Sequence, residues 1–246
     1  MLRILESFGF EWDGKVEFQS NRIDRYAEAL TRLATSGRCY ACRCSRSRLA
    51  AVPVEPGDEP VYPGTCRNVP DASRVPHAIR FRIDERAADI RFNDRLQGAI
   101  RENCRRQVGD FVIRRRDGYF AYHLAVVVDD DTQGVTEVVR GCDLLTSTPR
   151  QILLQRALGL RTPQYAHLPL LTEADGRKLA KSRHAVALDP GRAAATLWAA
   201  LGWLGQEPPA PLKRATVREL WDWAIPNWRP ERLAGCRELR LPAPVQ

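Results

Sequence analysis

The sequence lacks a long hydrophobic run, a charged-then-apolar leader after Met1 and a repeated unit of tens of residues. Its longest clean apolar run covers residues 124–128, whereas a membrane-spanning helix needs about 20 apolar residues. Solenoids and propellers are excluded because their units recur along the chain. We therefore expect a cytoplasmic protein that does not enter a membrane.

Lysine is also scarce, because only four of the 38 basic residues are lysine and the rest are arginine. Basic residues outnumber the 30 acidic ones, which gives a net charge of +8 and an isoelectric point near 9.4. Such a chain attracts polyanions, including nucleic acids, nucleotides and anionic lipids. The content of 44% hydrophobic and 28% charged residues is globular and argues against disorder and coiled coils. A length of 246 residues predicts one or two domains.

Seven cysteines, an odd number, do not suit a disulfide framework and favour free thiols or metal ligands. Three of them flank an irregular stretch rich in proline, glycine and serine: Cys42, Cys44 and Cys66. Two thiolates at the spacing of Cys42 and Cys44 can grip one ion, and the loop can return further ligands. Tyr62 lies between them and would be an unusual fourth ligand. Cys39 could replace it as a ligand, but we expect Cys39 to be packed in the interior. The spacing of the cysteines alone does not decide between a zinc site and free thiols.

Hydrophobic periodicity predicts an alternation of helices and strands. We expect helices over residues 2–10, 22–35, 148–158 and 193–204, and a helix start at Thr216, where Glu219 completes a capping box. We expect strands over residues 79–83, 111–115, 120–128 and 135–139, the second and third joined by a turn at Asp117 and Gly118. This order predicts an α/β fold with a doubly wound sheet, whose ligands bind beyond the carboxyl ends of the strands.

Two pairs of side chains in or after the predicted strands are candidates for substrate binding. Arg140 ends the strand 135–139, where a guanidinium can hold a substrate carboxylate, and Tyr122 in the neighbouring strand can add a hydroxyl. Lys178 and Lys181 lie on a glycine-led loop, and their flexible ammonium groups suit the phosphates of a leaving pyrophosphate. Alone, Arg140 and Tyr122 can be structural residues, and the lysines can form a solvated basic turn.

Charge clusters leave further alternatives open. Six arginines form the densest basic cluster and can contact RNA phosphates or form a solvated face: Arg101, Arg105, Arg106, Arg114, Arg115 and Arg116. Three consecutive aspartates, residues 129–131, can bind magnesium, although a turn that caps the next segment is the preferred interpretation. The four histidines show neither metal-ligand nor triad spacing.

Several segments resemble, in order and spacing, the catalytic core of the class I glutamyl-tRNA synthetases: AYHLAVVVDD at 121–130, GVT at 134–136, VRGCDLL at 139–145 and KLAKS at 178–182. KLAKS is similar to the KMSKS signature of that class. The resemblance implies an α/β fold with a Rossmann-type parallel sheet, a zinc-binding insertion and a helical C-terminal tail. It assigns 1–37 and 106–170 to the nucleotide-binding fold, 38–105 to the insertion, and 171–246 to the KMSKS-like loop and tail.

Only 64 residues follow Ser182, too few for the long helical anticodon-binding region of a glutamyl-tRNA synthetase. The chain therefore most resembles the short paralogous family, the glutamyl-Q tRNA(Asp) synthetases. The ligand pattern of that family implies zinc on Cys42, Cys44, Tyr62 and Cys66. The resemblance also assigns the ATP phosphates to Lys181, the only residue given a catalytic role, and the glutamate to Tyr122 and Arg140.

The implied reaction has two steps. L-glutamate attacks the α-phosphate of ATP, with magnesium, and the activated glutamate is then transferred to the queuosine base of tRNA(Asp). Both steps need positioning and electrostatics more than a side-chain nucleophile. The expected partners are L-glutamate, ATP and the tRNA(Asp) anticodon arm, which the arginine cluster would face, and we expect a monomer. Two alternatives remain: a clipped glutamyl-tRNA synthetase that charges a tRNA 3′ end, and a non-catalytic, zinc-stabilised RNA-binding remnant.

The family opens with a strand, a HIGH-like signature and an acidic glutamate-contacting residue, none of which is found in this sequence. Residues 1–6 correspond to a helix that follows them in the family. We therefore expect the first strand of the nucleotide-binding fold, and half of the ATP and glutamate contacts, to be missing. A start codon assigned too late is preferred over a truncated chain or an inactive remnant, because KLAKS and Arg140 are kept in register.

Overall fold

The computed structural model describes residues 1–45, 47–48, 61–69, 77–172 and 188–240. Within these ranges the helices are α1 (Leu2–Ser7), α2 (Ile23–Thr35), α3 (Cys104–Gln107), α4 (Tyr122–Thr132), α5 (Thr148–Leu158), α6 (Ala193–Trp203) and α7 (Val217–Asn227). The strands are β1 (Cys39–Cys42), β2 (Ala78–Phe81), β3 (Asp89–Asp94), β4 (Gly98–Asn103), β5 (Val112–Arg114), β6 (Glu137–Gly141), β7 (Gln164–Leu168), β8 (Leu170–Thr172) and β9 (Glu238–Arg240).

The described strands form three sheets. The central sheet has the order β4-β3-β7-β6, in which β3, β7 and β6 are parallel and β4 is an antiparallel edge strand. A second sheet, β1-β2-β5, is antiparallel, and β8 pairs with β9 in parallel. The parallel part of the central sheet and its covering helices confirm the predicted α/β fold.

Helices α2, α4 and α5 pack on one another over the central sheet. Helix α2 contributes Tyr26, Ala29 and Leu33, whose helical spacing places them on one buried face. Helix α5 has its proline in the first turn and ends at Gly159, which adopts a left-handed conformation with φ of 66°. Both predicted helices are confirmed, although Ser147 rather than Thr148 precedes the first turn of α5.

The predicted strand over residues 120–128 is wrong, because this segment forms helix α4, which begins at Tyr122. Leu124, Ala125, Val127 and Val128 of the helix are buried. A short apolar run covered on all sides has no period that separates a helix from a strand. The turn at Asp117 and Gly118 is present, but only Phe120 pairs back across it, in a single bridge to Arg114.

Helices α6 and α7 form a second core with the N-terminal helix α1. Phe8 packs there against Leu197, Leu201 and Leu220. The predicted capping box is confirmed, since the Thr216 N–H donates to Glu219 Oε2 at 2.7 Å and the Glu219 N–H donates to Thr216 Oγ1 at 3.3 Å.

None of the helices in the described ranges is long and apolar enough to cross a membrane. The four predicted segments of the chain, 1–37, 38–105, 106–170 and 171–246, remain predictions about domain organisation.

Candidate active site

Arg140 lies near the carboxyl end of β6, as predicted, and neighbouring groups hold its guanidinium in place. Its Nη2 donates to Thr148 Oγ1 and to Gln151 Oε1, each at 2.8 Å. Its Nε donates to His167 Nε2 at 3.1 Å, and its guanidinium carbon lies 5.4 Å from the centre of the Tyr165 ring. Nη1 makes no hydrogen bond to any described residue.

A buried histidine and a buried carboxylate form a chain of hydrogen bonds that ends at Arg140. His167, opposite Arg140 on β7, is 0% exposed, and its Nδ1 lies 2.5 Å from Asp94 Oδ2. Asp94 Oδ1 accepts the backbone N–H groups of Leu96, Gln97 and His167. Burial lowers the pKa of His167 despite the opposing effect of Asp94, so the imidazole is neutral at pH 7. Nδ1 therefore donates to Asp94, and Nε2 accepts from Arg140.

Sequence reasoning missed both of these residues. Asp94 and His167 are 73 positions apart, so no local spacing connects them. The available signal is that a histidine interrupts the apolar strand β7 directly beside the strand that carries Arg140. Register across parallel strands cannot be read from one strand alone.

Tyr122 is the first residue of α4, not a strand residue, and 45% of it is exposed. Burial raises the pKa of Tyr165, whose ring lies beside the Arg140 guanidinium. Beside Tyr122, the Nδ1 atom of His123 is buried without a hydrogen-bond partner in the described ranges, and burial lowers its pKa to about 4.

The predicted phosphate-binding residues Lys178 and Lys181 lie outside the described residues, as does the whole KLAKS segment. Their role in ATP binding stays a prediction.

The three predicted cysteine ligands converge. The sulfur atoms of Cys42, Cys44 and Cys66 all lie within 4.8 Å of one another, and those of Cys44 and Cys66 are 3.7 Å apart. Tyr62 Oη lies 3.4 Å from Cys42 Sγ and 3.8 Å from Cys44 Sγ. Tetrahedral zinc with bonds of about 2.3 Å to sulfur separates two sulfur ligands by roughly 3.8 Å. The three sulfur atoms are thus close enough to share one metal ion, and Tyr62 Oη lies next to two of them.

Arg80 from β2 lies against this cluster. Its Nε donates to Cys42 Sγ at 3.3 Å, and its guanidinium carbon lies 3.8 Å from the centre of the Tyr62 ring. Burial acts to raise the pKa of Cys66, but hydrogen bonds from the Arg43 backbone and the Tyr62 hydroxyl lower it to about 7. A thiolate is thus available near neutral pH, as a metal ligand requires. Cys39 instead packs against the main core, as predicted.

The six arginines of the predicted basic cluster are divided among strand β4, helix α3 and a hairpin. Arg101 on β4 pairs with Asp89 at 3.1 Å, and Arg105 on α3 lies 3.5 Å from the buried Asp110. Arg114, Arg115 and Arg116 belong to a hairpin, residues 112–120, that we name the basic hairpin. Contact between these arginines and RNA stays a prediction.

The aspartates at residues 129–131 lie in helix α4, so the predicted capping turn is wrong. Asp129 is buried and accepts hydrogen bonds from Arg22 Nε at 2.5 Å and from the Tyr26 hydroxyl at 2.8 Å. Burial raises the pKa of Tyr26 to about 12, so its hydroxyl stays a donor. Asp129 thereby joins α4 to α2 rather than contributing to a magnesium site.

Comparison with known proteins gives consistent matches. The family model for the catalytic domain of class I tRNA synthetases (E and Q) matches residues 1–194. The glutamyl-Q tRNA(Asp) synthetase of Chromobacterium violaceum is 51% identical over 242 residues, which cover 98% of this chain and 80% of that protein. The enzyme of the same name from Dechloromonas aromatica is 48% identical over 245 residues, covering 99% and 81% of the two chains.

The fold is also similar to that of a solved glutamate tRNA ligase from Elizabethkingia meningosepticum, with a TM-score of 0.72 and 23% identity. The alignment covers 98% of this chain, which spans only 56% of the length of that solved protein.

Proposed function

The chain belongs to the family of class I tRNA synthetase catalytic domains (E and Q), and we propose that it activates L-glutamate with ATP and transfers it to the queuosine base of tRNA(Asp). The observation that carries the choice of substrate is the fixed guanidinium of Arg140 at the carboxyl end of a parallel strand. Ligands of such sheets bind at this edge, and a guanidinium pairs well with a carboxylate.

The proposed chemistry needs no side-chain nucleophile. A glutamate carboxylate oxygen attacks the α-phosphorus of ATP, and the bond from that phosphorus to the pyrophosphate oxygen breaks. A hydroxyl of the queuosine ring then attacks the acyl carbon, loses its proton, and releases AMP. In this reaction Arg140 and the Tyr122 hydroxyl orient the glutamate, and Lys181 stabilises the charge on the phosphates, with magnesium bound to ATP.

We also propose that Cys42, Cys44, Tyr62 and Cys66 hold a structural zinc ion. The separations of their ligand atoms support it, as does the position of Arg80. Bound zinc would tie β1 to the loop that carries Tyr62 and Cys66, and four protein ligands leave no open position for a substrate. The chemistry of the reaction therefore stays with Arg140, Tyr122 and Lys181.

For the tRNA, we propose that the basic hairpin contacts the anticodon arm. It presents three consecutive arginines, and Tyr119 at its tip is 68% exposed. Arg116 Nη2 donates to the Arg43 carbonyl at 2.8 Å, which joins the hairpin to the cysteine cluster. The two border a cleft of about 670 Å³ lined by Arg80, Arg115 and Arg116. Arginines and an exposed aromatic ring suit phosphates and an unstacked base.

The first test is glutamate-dependent exchange of pyrophosphate into ATP, measured without tRNA in this chain and in a chain extended upstream to the next in-frame start. We expect exchange that Lys181→Ala and Arg140→Ala nearly abolish, because each removes a charge that binds one substrate. Arg91→Ala, at an exposed arginine of β3, is the matched control and should leave exchange unchanged. Background exchange in both chains contradicts the proposal.

The second test distinguishes the two acceptors. Labelled glutamate should enter tRNA(Asp) that carries queuosine but not the same tRNA with guanosine at the wobble position. The label should also survive removal of the tRNA 3′ end. Label lost with the 3′ end identifies a clipped glutamyl-tRNA synthetase instead.

A further inference from the structure

We propose that His167, oriented by Asp94, is a positioning residue that holds Arg140 in the orientation needed to bind a carboxylate. The inference deepens the proposed function, because it rests on Arg140 as the group that receives glutamate. It assigns Asp94 and His167 a role beyond the hydrogen bonds that Asp94 makes to the backbone turn after β3.

The first step of the argument is the direction of each hydrogen bond. An arginine Nε–H can only donate, so His167 Nε2, 3.1 Å away, must accept. The proton of the neutral ring then lies on Nδ1, which faces Asp94 Oδ2 at 2.5 Å. Asp94 is held in turn by three backbone N–H groups on its other oxygen. The backbone turn after β3 thus determines the tautomer of His167, and the tautomer determines whether Arg140 is held.

The second step is that the contact leaves the binding group exposed. His167 accepts from Nε, while Thr148, Gln151 and, at 3.4 Å, the Leu144 carbonyl accept from Nη2. These bonds stop rotation of the guanidinium about its stem, and Nη1 has no hydrogen-bond partner among the described residues. A preorganised guanidinium binds a carboxylate with less loss of side-chain entropy than a mobile one.

Asp94→Asn is the decisive variant, because it changes one group and keeps the shape. The asparagine oxygen can keep the backbone bonds, while its NH₂ group donates to Nδ1 and moves the histidine proton to Nε2. Nε2–H then faces Arg140 Nε–H, so this bond is lost, and Nε2–H is left to donate to Thr148 Oγ1, 3.2 Å away. We expect the KM for glutamate to rise about tenfold or more, the cost of an unpaired buried group, with the KM for ATP unchanged.

Two histidine variants separate positioning from stability. Gln at position 167 can reach Arg140 with its amide oxygen, whereas Asn can reach only Asp94. His167→Asn should therefore raise the KM for glutamate more than His167→Gln does. Asp94→Asn should add nothing in the His167→Gln background, because the tautomer no longer matters. Tyr26→Phe, which removes a buried hydrogen bond between α2 and Asp129 of α4, is the matched control.

Nitrogen NMR detects the hydrogen bonds that join Asp94, His167 and Arg140 without any substrate. The wild-type spectrum should show His167 protonated at Nδ1 and a hydrogen-bonded Arg140 Nε–H, both altered in Asp94→Asn. Protonation at Nε2 in the wild type, a folded Asp94→Asn with unchanged KM, or equal effects of the two histidine variants overturns the inference. Wild-type protein that shows this tautomer but neither binds glutamate nor supports exchange contradicts the proposed function. That result does not contradict the role of Asp94 and His167 in orienting Arg140.

Discussion

Arg80 combines two contacts with the cysteine cluster, a hydrogen bond to Cys42 and a stacked position over Tyr62. Three thiolates around a divalent ion leave a negative charge, which a guanidinium at this distance offsets. We expect Arg80→Met to weaken zinc affinity about tenfold, measured by competition with a coloured chelator. Arg115→Met, at an arginine of the same cleft that pairs with Asp117, should not change it. Equal affinities for the wild type and Arg80→Met contradict this role.

Arg22 and Asp129 form an ion pair with both side chains largely buried, and the Tyr26 hydroxyl completes it. Arg22→Met leaves a carboxylate in a buried position without its cation, which costs about 3 kcal/mol of unfolding free energy. Urea unfolding measures the loss. Arg25→Met on the same helix is the control, since Arg25 is exposed, and a similar loss there rules out the buried pair as the cause.

The start of helix α7 depends on a charged cap. Hydrogen bonds from the N–H and hydroxyl of Thr216 lower the pKa of Glu219. Because the folded pKa lies below the unfolded one, the cap stabilises at neutral pH, and this contribution disappears as the pH falls through about 4 and below. We expect the difference in urea midpoint between wild type and Glu219→Gln to shrink on acidification. A difference independent of pH contradicts the charged cap.

Individual elements differed in how far the sequence could predict them. Helices α2 and α7 carry their own signals, a repeated apolar face and a capping box, so both were predicted correctly. Helix α4 was predicted as a strand because its buried residues follow one another without a period. Tyr122 was first named from its place in that wrongly predicted strand. Its match to the family motif depends on residue identity and not on conformation, so the error leaves that match unchanged.

The charge of the whole chain, +8, predicts binding to RNA that depends on salt. If the basic hairpin forms part of the interface, replacing Arg115 and Arg116 with glutamine should weaken tRNA binding and reduce the slope of log affinity against log salt by about 1 to 2. Fluorescence anisotropy across a salt series measures both quantities. The matched control replaces Arg91 and Arg101, which are exposed on the central sheet, with glutamine. An equal loss of tRNA affinity in that variant would show that net charge alone, and not the basic hairpin, determines binding.

The order and spacing of short motifs were enough to identify a class I synthetase core, since each motif is local in the sequence. The resemblance to the family also indicated which cysteines meet, whereas their spacing alone left free thiols open. Only the tertiary structure decided that Asp94 and His167 stand behind Arg140 and that Asp129 binds Arg22. These contacts join residues 73 and 107 positions apart, and they form only when strand register and helix packing bring distant segments together.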